Sequence, residues 1–459
     1  MSSPAIYEHL LLLAVAAVVV FPNQLPYPPL DTTPSAVSSP AVNVLVMALP
    51  TERAVVVYEI DSGSLWRIGL GFVPEGVVSS GDRALAYSRI QQKAALLDLR
   101  ARAVLREIDV RVEAAWPAAN GFLVHDGLKL IVLSPDGEIV RDFKTGYAGS
   151  PWSGSAKGNA FWFVEEDLVT LNLLDLSTGQ IRQVYKHNDK ITAVLALTEN
   201  SAAISSKGYM GIIRSDGTRR DLKIPYQVSE ATFLFPAKAG RVVFVDLIHR
   251  VVGIIGEDLA EHRVVERLTF ALASPAPSKL YVLDPSAKTL DLFDLTFEPE
   301  IREARFLVTG KSTIRVEAVV VDLDKDAEPG FPQVVVEDSK GTRTIVPMRA
   351  LPDSRYSADV DLSDLRGTAT VRVVVRDEEG HVAQSKEYRV EVEAGEIKTT
   401  TGLTVTNTVT SPAQTGRETQ QLLLSSVELT FFLVLVGALV LVALRARRTG
   451  RSRARKRKA

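Results

Sequence analysis

Six histidines, His9, His125, His187, His249, His262 and His381, are the first place to look for metal or acid–base chemistry. None stands in a His-x-His or His-Glu-x-x-His spacing, which would put two imidazoles on one side of an element for zinc. They read as surface or loop histidines. Gly149-Ser150-Pro151-Trp152-Ser153-Gly154-Ser155 is rich in serine and glycine but lacks the Gly-x-Ser-x-Gly spacing of a nucleophile elbow, and reads as a loop between strands. No Walker or Gly-x-Gly-x-x-Gly phosphate loop follows a strand. The absence of cysteine excludes thiolate metal sites, cysteine nucleophiles and a disulfide scaffold. Asp322-Leu323-Asp324-Lys325-Asp326 resembles the start of a calcium loop. Ala327 replaces the glycine such a loop needs, and no glutamate stands at its twelfth position. It reads as a solvated acidic turn, with calcium as the alternative if other strands supply ligands. No cofactor is expected.

Residues suited to recognition are more numerous. Trp116, Tyr147, Trp152, Glu165, Glu166, Asp167, Lys186, His187, Tyr209, His249 and Arg250 form an uneven run of aromatic and polar side chains. Trp and Tyr supply large contact area in an interface. The expected role is binding an extracellular protein or glycan. The plainer alternative is ordinary solvated loops with tryptophan packed between sheets. An enzyme acting on an extracellular polymer, with Glu165–Asp167 as its acids, is a second functional reading. A structural role in a cell envelope or membrane complex is a third.

These residues must be positioned by a repeat. Glu59, Asp98, Ser134, Asp175, Arg214, Gly256 and Asp294 recur at steps of 36 to 42 residues, each after an apolar residue. Leu96-Leu97-Asp98-Leu99, Leu173-Leu174-Asp175-Leu176 and Leu292-Phe293-Asp294-Leu295 are near copies. Turn signals follow several members, such as Asp61-Ser62-Gly63 and Ser177-Thr178-Gly179. About twelve residues upstream runs a second column of continuous apolar segments, among them Phe161-Trp162-Phe163-Val164 and Val242-Val243-Phe244-Val245. Continuous apolar strands need cover on both faces. One four-stranded sheet of this kind cannot stand alone, whereas seven packed radially bury one another. The fold predicted for residues 33–297 is therefore a seven-bladed β-propeller. The recognition residues then fall on the face formed by blade-to-blade loops and second-to-third-strand turns, mainly in units four to six. The seventh unit lacks an evident fourth strand. The N-terminal segment is a candidate to close it, although its prolines at 22–29 are poor strand formers.

Units such as Gly81–Ile108 resemble the YVTN-type and WD-repeat-like propellers, without the Trp-Asp dipeptide of true WD repeats. The resemblance spans about residues 33–297. It implies the fold and leaves function open.

Pro299 marks a change of pattern. From 300 to 394 the text alternates with period two, as in Thr313–Val321 and Thr368–Arg376, and predicts an Ig-like β-sandwich without a disulfide. The stretch 371–393 resembles the last hairpin of an Ig-like or fibronectin-type surface module. Residues 395–421 are threonine-rich, with few large apolar side chains, and read as an extended stalk.

Leu422–Leu444 holds one charge, Glu428, in 23 residues. At about 1.5 Å per residue it crosses a hydrocarbon core of about 30 Å, and predicts one C-terminal transmembrane helix. The tail Arg445–Ala459 carries nine basic residues and no acid, leaving 44 basic against 55 acidic side chains in the rest of the chain. Basic residues beside a span stay inside, so the tail is expected in the cytoplasm against anionic lipid headgroups and the body outside. No nucleic-acid partner is expected. Leu10–Phe21 is too short to span, and residues 1–22 read as a signal peptide or a short N-terminal anchor; both give the same topology. Nineteen Asn and Gln, four Met and no Cys in 459 residues fit a heat-adapted prokaryote, an archaeon by expectation. The whole reads as an all-β, single-pass cell-membrane protein with a large extracellular part.

Overall fold

The computed structural model describes residues 22–398 and 405–406, apart from 225–226, 257–259, 266–267 and 269–270. The predicted span 422–444, the basic tail, the distal stalk and all but the last residue of the predicted leader lie outside the described residues. Among the described residues no α-helix occurs, and no helix is long and apolar enough to cross a membrane. The chain divides into two compact units, the first ending at Phe297 and the second starting at Glu298.

The first unit contains seven four-stranded antiparallel sheets in chain order. Their second and third strands are the continuous apolar runs. Val44–Leu49 with Ala54–Glu59 and Arg83–Ser88 with Lys93–Asp98 are typical, buried along almost their whole length. Consecutive residues of one such strand serve different cores. Leu97 packs with Val55 and Val57 of the first sheet, whereas Leu96 packs with Phe122 and Val124 of the third. Each sheet is thus glued on both faces, which explains why these strands show no alternation. The first strands of the first six sheets pack on one another in turn, and that of the first sheet also meets Ala271–Ala273 of the seventh. Leu45, Met47 and Tyr58 share a core with Tyr281, Leu283 and Leu290, so the last sheet packs on the first. The sixth and seventh are tied by Ser278, whose N–H donates to the Pro236 carbonyl at 3.0 Å. This is a closed β-propeller arrangement.

The seventh sheet is completed from the other end of the unit. Asn23–Leu25 runs antiparallel to Thr289–Asp294, pairing Asn23 with Leu292 and Leu25 with Leu290. The Pro26 carbonyl accepts a 3.0 Å hydrogen bond from the Tyr58 hydroxyl. Three residues suffice because an outermost strand needs backbone partners on one side only, and the prolines fall beyond it.

The polar column of the repeat closes turns. Asp98 accepts from the Ala101 N–H at 2.7 Å, Asp175 from Ser177 and Thr178 at 2.8 and 3.1 Å, and Asp294 from Thr296 at 3.2 Å. These are Asx-type turns that present a carboxylate to the free donors of a tight bend.

The second unit is a β-sandwich. A five-stranded sheet built on Glu300–Val308, Thr313–Val321 and Arg355–Asp361 faces a six-stranded one built on Gln333–Asp338, Gly367–Arg376 and Tyr388–Glu393. Ile314, Val316 and Val360 from one sheet share a core with Val334, Val371 and Val373 from the other. The segment read as stalk starts inside this unit. Glu396–Ile397 pairs with Val392–Glu393, and Val405–Thr406 pairs with Glu303–Ala304. Edge pairing uses backbone groups, so a threonine-rich sequence with few large apolar side chains can still join a sheet, and Ile397 also packs against the sandwich core.

Candidate functional site

In the first unit the sheet-to-sheet loops and the second-to-third-strand turns emerge on one side, here the loop face. The first-to-second and third-to-fourth turns emerge on the other. Asn23, where the closing strand begins, and Asp294, where the last strand ends, lie at the second side, here the exit face.

On the loop face the structure gathers the expected residues into three separate groups. Trp116 and Tyr147 join Phe161 between the third and fourth sheets, at 5% and 3% exposure. Their rings meet edge-on at 5.1 Å, and Trp116 Nε1 donates to the Pro151 carbonyl at 2.9 Å. This corrects the expectation that both rings offer contact area to a partner: they are core. Burial pushes the Tyr147 hydroxyl far up. His125 belongs to the same contact, its ring 4.8 Å from Tyr147, with Gly127 N–H donating to Nδ1 at 3.3 Å. Its Nε2 is buried without a hydrogen-bond partner among the described residues, and burial holds the imidazole below its ordinary pKa.

The second group surrounds Trp152, which is half-buried. Its ring stands edge-on to Phe233 at 4.5 Å and Phe235 at 5.8 Å, on the first strand of the sixth sheet. Its carbonyl accepts the Val194 N–H of the fifth sheet at 2.8 Å. A loop residue that leads into the fourth sheet therefore bridges three consecutive sheets where their first strands meet.

The third group joins His187 and Tyr209, 22 positions apart in the chain. His187, at 9% exposure, stacks on Tyr209 at 4.7 Å; its Nδ1 meets the Tyr185 hydroxyl at 3.1 Å and its Nε2 the Ser206 hydroxyl at 2.9 Å. The Tyr209 hydroxyl donates to Asp221 at 3.0 Å, and Arg219 holds Asp221 through both carboxylate oxygens at 2.5 and 2.7 Å. Arg219 also lies over the Tyr209 ring at 5.1 Å. Burial lowers His187; burial and then Asp221 raise the Tyr209 hydroxyl; the Arg219 hydrogen bond lowers Asp221. Tyr185, Ser206, Arg219 and Asp221 were not singled out by sequence. Arg219 and Asp221 sit two apart on a three-residue outer strand, too short to show periodicity.

The acidic run 165–167 is a hairpin turn. Glu165 bridges Tyr147 through backbone, Glu166 is exposed, and Asp167 accepts from Val169 and Thr170 N–H at 3.0 and 2.8 Å and from the Thr170 hydroxyl at 2.6 Å. The hydroxyl bond above all holds the Asp167 carboxyl down. Lys186 lies 3.8 Å from it. His249 and Arg250 are exposed on the corresponding turn of the sixth sheet. That turn is pinned by Asp246, which is buried and takes the Ser229 hydroxyl at 2.6 Å and His249 Nδ1 at 2.8 Å. Burial works to raise Asp246, and the hydrogen bonds from His249 and Ser229 outweigh it. These arrangements build turns and sheet contacts from charged residues and leave exposed side chains on a rigid face.

The one group able to hold a metal among the described residues lies in the sandwich. Asp326, Asp377 and Glu379 each bring an oxygen within 4.8 Å of the others. Asp324 is buried nearby in sequence, and burial, with the Asp326 charge, raises Asp322. Oxygen donors of this kind suit a hard cation such as Ca²⁺. His381 donates its backbone N–H to Asp377 at 2.8 Å and places Nδ1 2.7 Å from the other oxygen. Sequence spacing showed only the Asp322–Asp326 half; Asp377 and Glu379 come from a turn some fifty residues on.

No protein-family model and no curated protein matches the chain. Among solved structures, it resembles virginiamycin B lyase from Staphylococcus aureus (15% identity, 60% of this chain, 99% of that chain, TM-score 0.48). It also resembles hydrazine synthase of Kuenenia stuttgartiensis (12% identity, 60% and 97%, TM-score 0.46). A third likeness is to the β-propeller domain of Cps50 (Swd1) from Myceliophteria thermophila (13% identity, 60% and 98%, TM-score 0.43). At such identities and scores the likeness says nothing about activity or partner.

Proposed function

We propose that the chain is a membrane-anchored cell-surface binding protein. In this reading the seven sheets are the blades of one propeller, an Ig-like sandwich and a stalk follow, and Leu422–Leu444 anchors the whole with its basic tail in the cytoplasm. The loop face recognises an extracellular protein or glycan. The observation that carries the reading is a set of aliphatic side chains at loop-face turns: Ile90 is 85% exposed, Leu128 82% and Ile248 65%. They stand at the same turn of the second, third and sixth sheets, on the side opposite both ends of the unit's chain path. A turn tip gains no fold stability from such a side chain, whereas a partner surface can bury it. Ile248 adjoins His249 and Arg250, which add polar contacts beside it.

The test is binding of the full chain, carried in lipid nanodiscs, to whole envelopes of its own cells. The variant with Ile90→Ser, Leu128→Ser and Ile248→Ser is expected to keep its melting temperature and lose most of that binding. Full binding by the variant rejects the loop-face reading. Alkaline extraction of membranes tests the anchor separately: the full chain is expected in the pellet, and its release into the supernatant rejects the anchor.

A further inference from the structure

On the exit face a cleft of about 460 Å³ opens between the fourth and fifth sheets, away from every residue of the loop-face reading. Asn159, Gln180 and Arg182 line it from the fourth sheet and Glu199 and Asn200 from the fifth, with Ala160, Leu173 and Ile181 as an apolar floor. Its size falls in the range of about 300–1,000 Å³ typical of small-molecule sites.

The acceptors are held in place. Gly158 has φ 56°, and a Cβ there would come 2.0 Å from Glu199 Oε1. Glycine therefore lets the Glu199 carboxylate lie over the turn, where it takes the Asn159 N–H at 2.8 Å. Asp175, also in the lining, is fixed by the Ser177 hydroxyl at 2.6 Å and by the backbone N–H groups of Thr178 and Ser177, and these together hold its carboxyl down at about 2. By contrast, the side chains of Asn159, Gln180 and Arg182 make no hydrogen bond or ion pair with other described residues. The cleft thus offers free donors beside oriented acceptors over an apolar base.

Two carboxylates against one guanidinium disfavour an anion, and Arg182 disfavours a bare cation. A free amino acid would use Arg182 and one carboxylate and leave the carboxamides idle. A polyhydroxylated ring matches all of them: its hydroxyls donate to Asp175 and Glu199 and accept from Arg182 and the amides, and its C–H face covers Leu173 and Ile181. We propose that this cleft is a binding subsite for a neutral saccharide of one or two sugar residues.

The test uses the full chain in nanodiscs with maltotriose, mannotriose and chitotriose, followed by saturation-transfer NMR and titration calorimetry. At least one trisaccharide is expected to bind in the millimolar range. Arg182→Ala and Gln180→Ala are each expected to weaken it about tenfold with an unchanged melting temperature. The variant Ile90→Ser, Leu128→Ser, Ile248→Ser is expected to bind the sugar normally, so this proposal and the loop-face reading fail separately. No transfer to any of the three sugars overturns the proposal. So does undiminished binding by both cleft variants, or binding of free glycine or glutamate in place of the sugars.

Discussion

Leu96 and Leu97 are neighbours on one propeller strand, and both are fully buried. Arg315 and Val316 are neighbours on one sandwich strand; Val316 is fully buried and Arg315 reaches water, paired with Asp359 at 2.8 Å. The two units use the same antiparallel ladder and differ in how many faces of a sheet are covered. A propeller sheet has a neighbour on each side, so most positions along its middle strands are core positions. A sandwich sheet has one, so alternate positions are free to carry the Arg–Asp and Arg–Glu pairs that line its outside. The lesson is that strand periodicity reports the surroundings of a sheet.

The strongest way to break this contrast is to truncate both leucines. Leu96→Ala and Leu97→Ala are each expected to cost about 2–5 kcal/mol in denaturant unfolding, through different cores. A cost below about 1 kcal/mol for either would mean that one face of the sheet is not a packed face. Next is the closing strand. Leu25→Pro constrains the end of a three-residue strand and is expected to destabilise the first unit by about 2–3 kcal/mol, with faster hydrogen exchange at Leu290 and Leu292. Unchanged exchange there would show that the ring does not depend on this closure.

Tyr209→Phe tests the polar tie between the third and fourth strands of the fifth sheet. Losing the hydroxyl that donates to Asp221 is expected to cost about 1 kcal/mol. Tyr209 therefore makes a poor probe of binding, because its truncation also loosens the fold, and Trp152, packed on Phe233 and Phe235, shares that defect. The pH response sharpens the contrast further. His125 and His187 have folded pKa values below the ordinary 6.5, because burial penalises the imidazolium. The unfolded chain then binds protons more readily, so their contribution is present above about 6.5 and is lost as the pH falls through the lowered folded values. The melting temperature is expected to be flat from about pH 8 to 7 and to decline between about 6.5 and 5. The turn carboxylates Asp98, Asp167 and Asp175 are also lowered, and their contribution fades only below about pH 4. His125→Gln combined with His187→Gln is expected to flatten the decline, and an unaltered slope would place the titration elsewhere. The smallest effect belongs to the sandwich exterior: Arg315→Gln is expected to leave the melting temperature within error, since exposed pairs are screened by water and salt.

Much of this contrast was legible in the residues. The unbroken run Phe161–Val164 announced a strand covered twice, and Thr313–Val321 announced one covered once. The Asp98, Asp175 and Asp294 column was visible as a repeat, although only the structure assigned it to turn closure. Sequence was less informative about the candidate sites. Trp116 and Tyr147 looked like contact residues because aromatic rings serve cores and interfaces alike. Arg219, Asp221 and the donors and acceptors around the saccharide cleft carried no signal, since each is an unremarkable polar residue until a second sheet stands beside it.

Composition, the period near 39 and the apolar patterning determined by themselves that the described part of the chain is all-β, that its first part is a ring of small sheets and that its second part alternates. Those properties follow from local burial, which each strand encodes in its own side chains. Which short segment closed the seventh sheet, which tryptophan was core and which half-exposed, and which polar groups met across sheet boundaries were decided only by the tertiary structure. They depend on distances between residues remote in the chain, and no periodicity records those.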